Sequence, residues 1–320
     1  MTELPDPALD HLREVLRAPE VPGDRYATVG LLGEGGMGLV YRAEDRVLGR
    51  SVALKALRPE IADPSLADRL SREARILARL EHPGIVPVHD AGTLADGRVF
   101  YVMKLVQGER LDRFAAARPL PAVLRAFLQV CETVGFAHAS GIIHRDLKPA
   151  NIMVGGFGEV LVLDWGIARV LGDATEAAAP TGDARGRDPA GADQTAAGTV
   201  LGTPGFMAPE QARGAVAQVD ARTDVWALGA ILRELTGAQA PAPLASVCRR
   251  ATAPDAGDRY ASAAELAADV ARYLDGAPVL AHRESLAERL GRWYLKYQTP
   301  IILIVSYLAM RLLFVLWRSR

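Results

Sequence analysis

Cysteine is nearly missing from this 320-residue chain. The two present, Cys131 and Cys248, lie far apart and outside any C-x-x-C or His-rich spacing, which excludes a disulfide framework and a zinc site. Both read as reduced, small apolar residues in a reducing compartment. Charge of one sign is missing too. With 37 basic against 38 acidic residues and a formal net charge of -1, the chain has no electrostatic footprint for nucleic acid. No basic stretch followed by an apolar run opens it, so no cleaved secretion leader is expected and the N-terminus is placed in the cytoplasm. Residues 172–199 contain no aromatic residue and no Leu, Ile or Val. Such a stretch cannot bury enough surface to offset its ordering entropy and is expected to be a mobile loop. No internal repeat is present.

Half of the residues are hydrophobic, enough for a large core and one two-lobed domain with additions. Residues 1–24 combine Leu9, Leu12, Val15 and Leu16 with the breakers Pro19 and Pro22, predicting a docking helix and a linker. Strands are predicted over Ala27–Leu32, Leu39–Glu44, Ser51–Leu57 and Val99–Val106, and a hairpin over Asn151–Val154 and Val160–Leu163. Leu66, Leu70, Leu77 and Leu80 recur at helical spacing with Glu73 on the same face. A carboxylate in an apolar stripe needs a basic partner, because burying it unpaired is costly. Leu124, Phe127, Leu128, Cys131 and Val134 mark a core helix, and further helices are predicted over Val219–Leu235, Leu244–Ala251 and Ala261–Leu274.

Gly33-Glu34-Gly35-Gly36-Met37-Gly38 carries a G-x-G-x-x-G, a spacing that serves either a dinucleotide-binding helix or a phosphate-covering hairpin. Leu39-Val40-Tyr41-Arg42-Ala43 follows it, β-branched, aromatic and alternating, which reads as a second strand. Val52-Ala53-Leu54-Lys55 then ends an apolar strand in an ammonium that can pair with phosphates and with Glu73.

His144-Arg145-Asp146-Leu147-Lys148-Pro149-Ala150-Asn151 matches the catalytic loop H-R-D-L-K-x-x-N, Asp164-Trp165-Gly166 stands where D-F-G does, and Ala208-Pro209-Glu210 matches A-P-E. In this order the chain resembles a bacterial eukaryotic-like (Hanks-type) Ser/Thr protein kinase over roughly residues 25–275. The resemblance implies an α+β, bilobal protein-kinase fold: a small β-rich N-lobe (25–106) with one regulatory helix, a larger α-helical C-lobe (107–275), and an activation segment over 164–210. It implies ATP and Mg²⁺ as cofactors, with Mn²⁺ an alternative ion, and protein substrates bearing Ser or Thr. Asp146 would accept the substrate hydroxyl proton, Lys148 would steady the γ-phosphate, and Asn151 and Asp164 would hold the metal. Leu32, Gly33, Gly35, Gly38, Val40, Ala53, Lys55, Glu73, Met103, Lys104, Val106 and Met153 would form the ATP site, with Met103 as gatekeeper. Leu77, Val88, His144 and Trp165 resemble the stacked column joining the lobes, anchored by Asp224. Arg145 would capture a phosphate on Thr199 or Thr195, Thr203 would bond Asp146 and Lys148, and Glu210 would pair with Arg259. A homodimer would permit autophosphorylation in trans. His11, His82, His89, His138 and His282 have no ligand spacing and are given no role.

Two departures stand out. Trp165 replaces the usual Phe, and Gly237–Leu244 is too short for the substrate-docking helix the family places there. Beyond a juxtamembrane segment (276–299), Ile301–Trp317 is apolar except for Ser306 and Arg311, with aromatic and cationic flanks. This predicts a transmembrane helix and short tail over 300–320, a single-pass C-terminal anchor in the cytoplasmic membrane with the catalytic domain in the cytoplasm. The expected function is a membrane-tethered Ser/Thr protein kinase that also phosphorylates its own activation loop. The alternative is a pseudokinase-like ATP-binding scaffold.

Overall fold

The computed structural model describes residues 19–35, 38–59, 64–166, 168–170, 205–215 and 218–318. The upper lobe is a five-stranded antiparallel sheet of order β1-β2-β3-β5-β4, built from β1 Tyr26–Glu34, β2 Gly38–Asp45, β3 Arg50–Leu57, β4 Val88–Thr93 and β5 Val99–Lys104. Strand alternation gives it two different faces. Leu39, Tyr41, Val52, Leu54, Ala56, Phe100 and Val102 pack on one side as a closed apolar cluster. Val40, Ala53, Lys55, Tyr101 and Met103 fall on the other, because Val40 pairs with Lys55, Lys55 with Tyr101, and Ala53 with Met103. One side of the sheet is thus its own core, and the other faces the second lobe.

Helix α1, Pro64–Arg79, lies against that sheet with Leu70, Glu73, Ala74, Ile76 and Leu77 buried. The lower lobe is helical around α3, Leu120–Ala139, which follows the short α2, Leu111–Ala117. Leu124, Phe127, Val130, Cys131 and Val134 are fully buried along one stripe of α3, and each such large side chain contributes about 1.5–3 kcal/mol relative to exposure. A three-stranded sheet joins β6 Gly108–Arg110 to the hairpin β8 Ile152–Gly155 and β9 Val160–Val162, and β7 Ile142–Ile143 pairs with β10 Arg169–Val170. The lobes are tied where Val162 N–H donates to Gly84 O at 2.8 Å.

After α4, Pro209–Ala212, the lobe continues through α5 Ala221–Thr236, α6 Ala242–Ala251 and α7 Ala263–Leu274. Gly237 ends α5 with φ of 66°, a left-handed conformation that favours glycine. Residues 237–241 alone then connect α5 to α6, so no helix stands between them. The two helices touch directly: a Cβ on Gly229 would lie 2.5 Å from the Ala251 Cβ.

Several elements depart from expectation. Strand β4 was not foreseen because its sequence, VHDAGT, mixes polar and small residues on a half-exposed edge. The two-residue pairs and α2 are too short to show a period. The predicted linker is partly docked: Val21 is buried in the upper-lobe cluster, and Thr28 Oγ1 donates to Pro19 O at 3.1 Å. The predicted helix before it lies in residues 1–18, outside the described residues, as does the whole 172–199 segment expected to be a mobile loop. A single helix α8 runs Leu286–Arg318 with Pro300 inside it, continuous across the boundary drawn between the juxtamembrane segment and the expected transmembrane helix. Among the described residues the helix long and apolar enough to cross a membrane is α3, which is the core helix of the lower lobe. On α8 the side chains of Ile302, Leu303, Ile304, Val305 and Leu308 are exposed.

Candidate active site

The inward face of the upper sheet supplies one wall. Lys55 Nζ donates to both oxygens of Glu73 at 2.7 and 3.0 Å and to Asp164 Oδ1 at 3.3 Å. Tyr101 Oη donates to Glu73 Oε1 at 2.9 Å. The buried carboxylate therefore has the partner its place in the apolar stripe requires, and a second donor besides. Burial pushes the Lys55 ammonium down, yet Glu73, Tyr101 and Asp164 together hold it above the ordinary lysine range. Burial and Glu73 keep the Tyr101 phenol well above its usual range, despite Lys55, so it remains a donor. Tyr101 had no role in the sequence reading; it sits one strand away from Lys55 in register, a relation only the sheet pairing reveals.

The glycine segment closes a hairpin, with Gly33 opposite Val40 and Glu34 opposite Leu39. Gly35 N–H donates to Gly38 O at 2.8 Å, and Arg58 donates through Nε and Nη2 to Gly35 O at 3.2 and 3.0 Å. A Cβ on Gly38 would fall 2.5 Å from Ala56 O, so β2 can approach β3 only with glycine there. A strand follows the glycines, not a helix, which removes the dinucleotide alternative. Leu32 is half-exposed on β1 near this turn, whereas Gly36 and Met37 lie outside the described residues.

Behind the hairpin, Ala53 and Met103 are cross-strand partners, and Met153 lies on β8 opposite Leu161. Lys104 N–H is committed to Pro87 O at 3.1 Å. Val106 is half-buried in the link from β5 to β6.

The opposite wall hangs from one buried carboxylate. Asp224 on α5 accepts the backbone N–H of His144 at 2.8 Å and of Arg145 at 2.9 Å, while His138 Nε2 lies 2.8 Å from Asp224 Oδ2. Burial raises the Asp224 carboxyl, but the hydrogen bond and charge of His138, with help from His144, leave it below the usual range. His138, to which the sequence reading gave no role, is thus part of this anchor. Arg145 sits at φ 71°, a strained conformation for a non-glycine residue, held by Asp224 on one side and by Gln211 Nε2 donating to Arg145 O at 2.8 Å on the other.

That loop presents Asp146, whose Oδ2 accepts from Lys148 Nζ at 2.8 Å and from Asn151 Nδ2 at 3.3 Å. Asn151 Nδ2 also donates to Asp146 O at 3.0 Å. Both bonds use the amide nitrogen, which turns the Asn151 carbonyl oxygen the other way. Asp164 stands across the gap at φ 60°, with its side chain 45% exposed to the cleft. Burial would raise its carboxyl, but Lys55, His144 and Lys148 bring it below the ordinary value, so it stays an anionic oxygen ligand. Two oxygen-bearing side chains at the cleft, Asp164 and Asn151, fit a hard divalent cation, which prefers oxygen ligands.

The column behind the site is continuous. His144 and Trp165 rings lie 4.6 Å apart between centroids, and Leu77 and Trp165 belong to the same buried cluster, with Val88 packed against it. His144 Nε2 faces Leu163 O at 3.0 Å and its Nδ1 accepts from Asp146 N–H at 3.3 Å. Trp165 Nε1 donates to Val162 O at 3.2 Å, a bond the usual Phe could not make. Lower down, Arg259 holds Glu210 through two bonds of 2.8 Å, and Thr223 Oγ1 adds a third at 2.9 Å. Thr195, Thr199 and Thr203 lie outside the described residues.

A family model described as the protein kinase domain matches residues 26–253. The chain belongs to the protein kinase family. The chain is 34% identical to the serine/threonine-protein kinase PknD of Chlamydia pneumoniae, over 88% of this chain and 34% of the relative. It is 36% identical to the serine/threonine-protein kinase PknB of Mycobacterium leprae, over 82% of this chain and 45% of that one. Among solved structures it is similar to the PknI kinase domain of Mycobacterium tuberculosis, with 28% identity, a TM-score of 0.56, and 80% and 98% of the two chains covered. This kinase chain spans about a third of the length of its chlamydial relatives.

Proposed function

We propose that this chain is a serine/threonine protein kinase that transfers the γ-phosphate of Mg-ATP to protein hydroxyls, its own included, while held at a membrane by α8. The observation that carries the catalytic part is the closed Lys55–Glu73 pair with Asp164 3.3 Å from the same ammonium, facing Asp146, Lys148 and Asn151. The family relationship and the names of the relatives support the same reading.

In the reaction the substrate hydroxyl oxygen forms a bond to the γ-phosphorus, and the bond from that phosphorus to the bridging oxygen breaks, releasing ADP. The hydroxyl proton passes to the Asp146 carboxylate. Lys55 pairs with the α- and β-phosphates, oriented by Glu73, and Lys148 neutralises charge on the transferred group. Asp164 and Asn151 would hold the magnesium ion, which supplies neutralisation of the β- and γ-phosphate oxygens. The glycine hairpin covers the phosphates with backbone N–H groups, and Val40, Ala53 and Met153 hold the adenine. Phosphoryl transfer needs positioning and charge stabilisation more than covalent chemistry.

Phosphate on Thr199 or Thr195 would be drawn to Arg145. With only residues 237–241 between α5 and α6, substrates would be held by the cleft and its rim and not by a docking helix. The exposed apolar run of α8 supports a membrane span, with Arg311 close enough to the C-terminal end to reach the headgroups. Alkaline carbonate extraction of membranes carrying the full chain tests that part. Retention in the pellet agrees with a span, and release contradicts it. Transfer of labelled γ-phosphate by the wild type, lost in Asp146→Asn, tests the chemistry; nucleotide binding without transfer would point to the scaffold.

A further inference from the structure

The chain does not leave the lower lobe at the end of α7. Gly276, at φ 65°, turns it back, and Ala277 N–H donates to Arg272 O at 2.8 Å. Val279 is buried in the main core cluster. Asp269 on α7, 1% exposed, accepts three bonds: from Leu280 N–H at 2.7 Å, Ala281 N–H at 3.0 Å and Tyr260 Oη at 2.8 Å. His282 Nδ1 lies 3.0 Å from Ser246 Oγ on α6, which also accepts from Arg249 Nη2 at 2.8 Å. A buried carboxylate that takes two of these three bonds from one chain segment makes a built attachment, because opening it would remove both of those donors and leave the buried charge to Tyr260.

We infer that residues 277–282 are a latch, closed on Asp269, that fixes the root of α8 to the lower lobe and sets how far the kinase domain can stand from that helix. With the latch closed, the chain from His282 to Leu286 can span at most about 14 Å. With it open, the chain from Leu274 to Leu286 can span about 40 Å. The latch also abuts the anchor of the activation segment, since Tyr260 directly follows Arg259, the partner of Glu210. If α8 spans a membrane as proposed above, the closed latch keeps the active site close to the bilayer and selects substrates presented there. That consequence rests on the membrane reading, whereas the latch itself does not.

Backbone hydrogen exchange of the full chain in detergent micelles tests it, beside a Leu280→Pro variant. Leu280 is 71% exposed and occupies the second position of a turn closed by His282 N–H donating to Val279 O at 3.1 Å, where proline is accommodated. The substitution therefore removes one donor to Asp269 and little else. In the wild type, the amides of Leu280 and Ala281 are expected to exchange as slowly as the core amides of α7. In the variant, Ala281 exchange should rise by about tenfold or more while α7 stays slow. Wild-type exchange of Leu280 and Ala281 at the rate of unstructured chain, with α7 protected, would overturn the latch. So would a folded variant in which Ala281 protection is unchanged. Carbonate extraction reports on the membrane span separately, so the two ideas fail independently.

Discussion

Lys55 Nζ lies 2.7 Å from Glu73 Oε1, which ties α1 to the inward face of the upper sheet. The pair sits in a site with Tyr101 Oη on the same carboxylate oxygen. Lys55→Met should lower kcat/KM by about 100-fold or more, as loss of a preorganised charge does, and should cost about 3–5 kcal/mol of stability because it leaves the buried Glu73 carboxylate without its ammonium. Tyr101→Phe should cost about 1–2 kcal/mol of stability, the loss of one donor to a buried carboxylate. Steady-state phosphotransfer and urea unfolding measure the two.

Arg259 and Glu210 form a buried, two-bonded pair far from the chemistry. Arg259→Met leaves a buried carboxylate with Thr223 alone and should destabilise by about 3–5 kcal/mol, lowering Tm by roughly 10 °C. The double variant Arg259→Met with Glu210→Met should recover much of that loss. Calorimetry of the single and double variants decides it, and equal losses in both would contradict the pairing.

Acid should unfold the lower lobe through the same anchors. Burial pushes the Asp224 and Glu210 carboxyls up, but His138 for the first and Arg259 for the second bring both below their ordinary values. A carboxyl with a depressed folded pKa contributes stability that is present above its unfolded value, about 4, and is lost as pH falls through the folded one. Unfolding free energy should therefore drop with falling pH below about 4. Glu210→Gln should flatten that slope, since it has no proton to gain. Urea titrations between neutral pH and pH 3 check the sign.

Trp165 replaces the common Phe of its motif and donates to Val162 O at 3.2 Å. Trp165→Phe keeps an apolar ring against His144 and should retain activity within a few-fold, at a stability cost of about 1–2 kcal/mol for the unpaired carbonyl and lost volume. Trp165→Ala opens a cavity in the column and should cost about 3–5 kcal/mol. Activity and unfolding measured on both variants separate packing from chemistry.

Most of the site was legible because its residues stand at fixed spacings within short runs. Asp146, Lys148 and Asn151 share one loop, and Glu73 declared itself as a carboxylate inside an apolar stripe. Long periodic elements such as α3 and α5 announce themselves for the same reason. Tyr101 and His138 were hidden because each is ordinary in its own element. Their partners, Glu73 and Asp224, lie 28 and 86 residues away, and only sheet register and helix packing bring them together. The tie of residues 280 and 281 to Asp269 was hidden likewise, since it uses backbone amides that leave no trace in side-chain pattern.

Transfer of the γ-phosphate tests the central claim most directly. The full chain in detergent, incubated with Mg-ATP labelled at the γ-phosphate, should incorporate label on its own Ser or Thr residues, and Asp146→Asn should reduce this by about 100-fold or more. Binding of Mg-ATP by a folded wild-type chain, with no label transferred to itself or to an added protein substrate, would contradict the account.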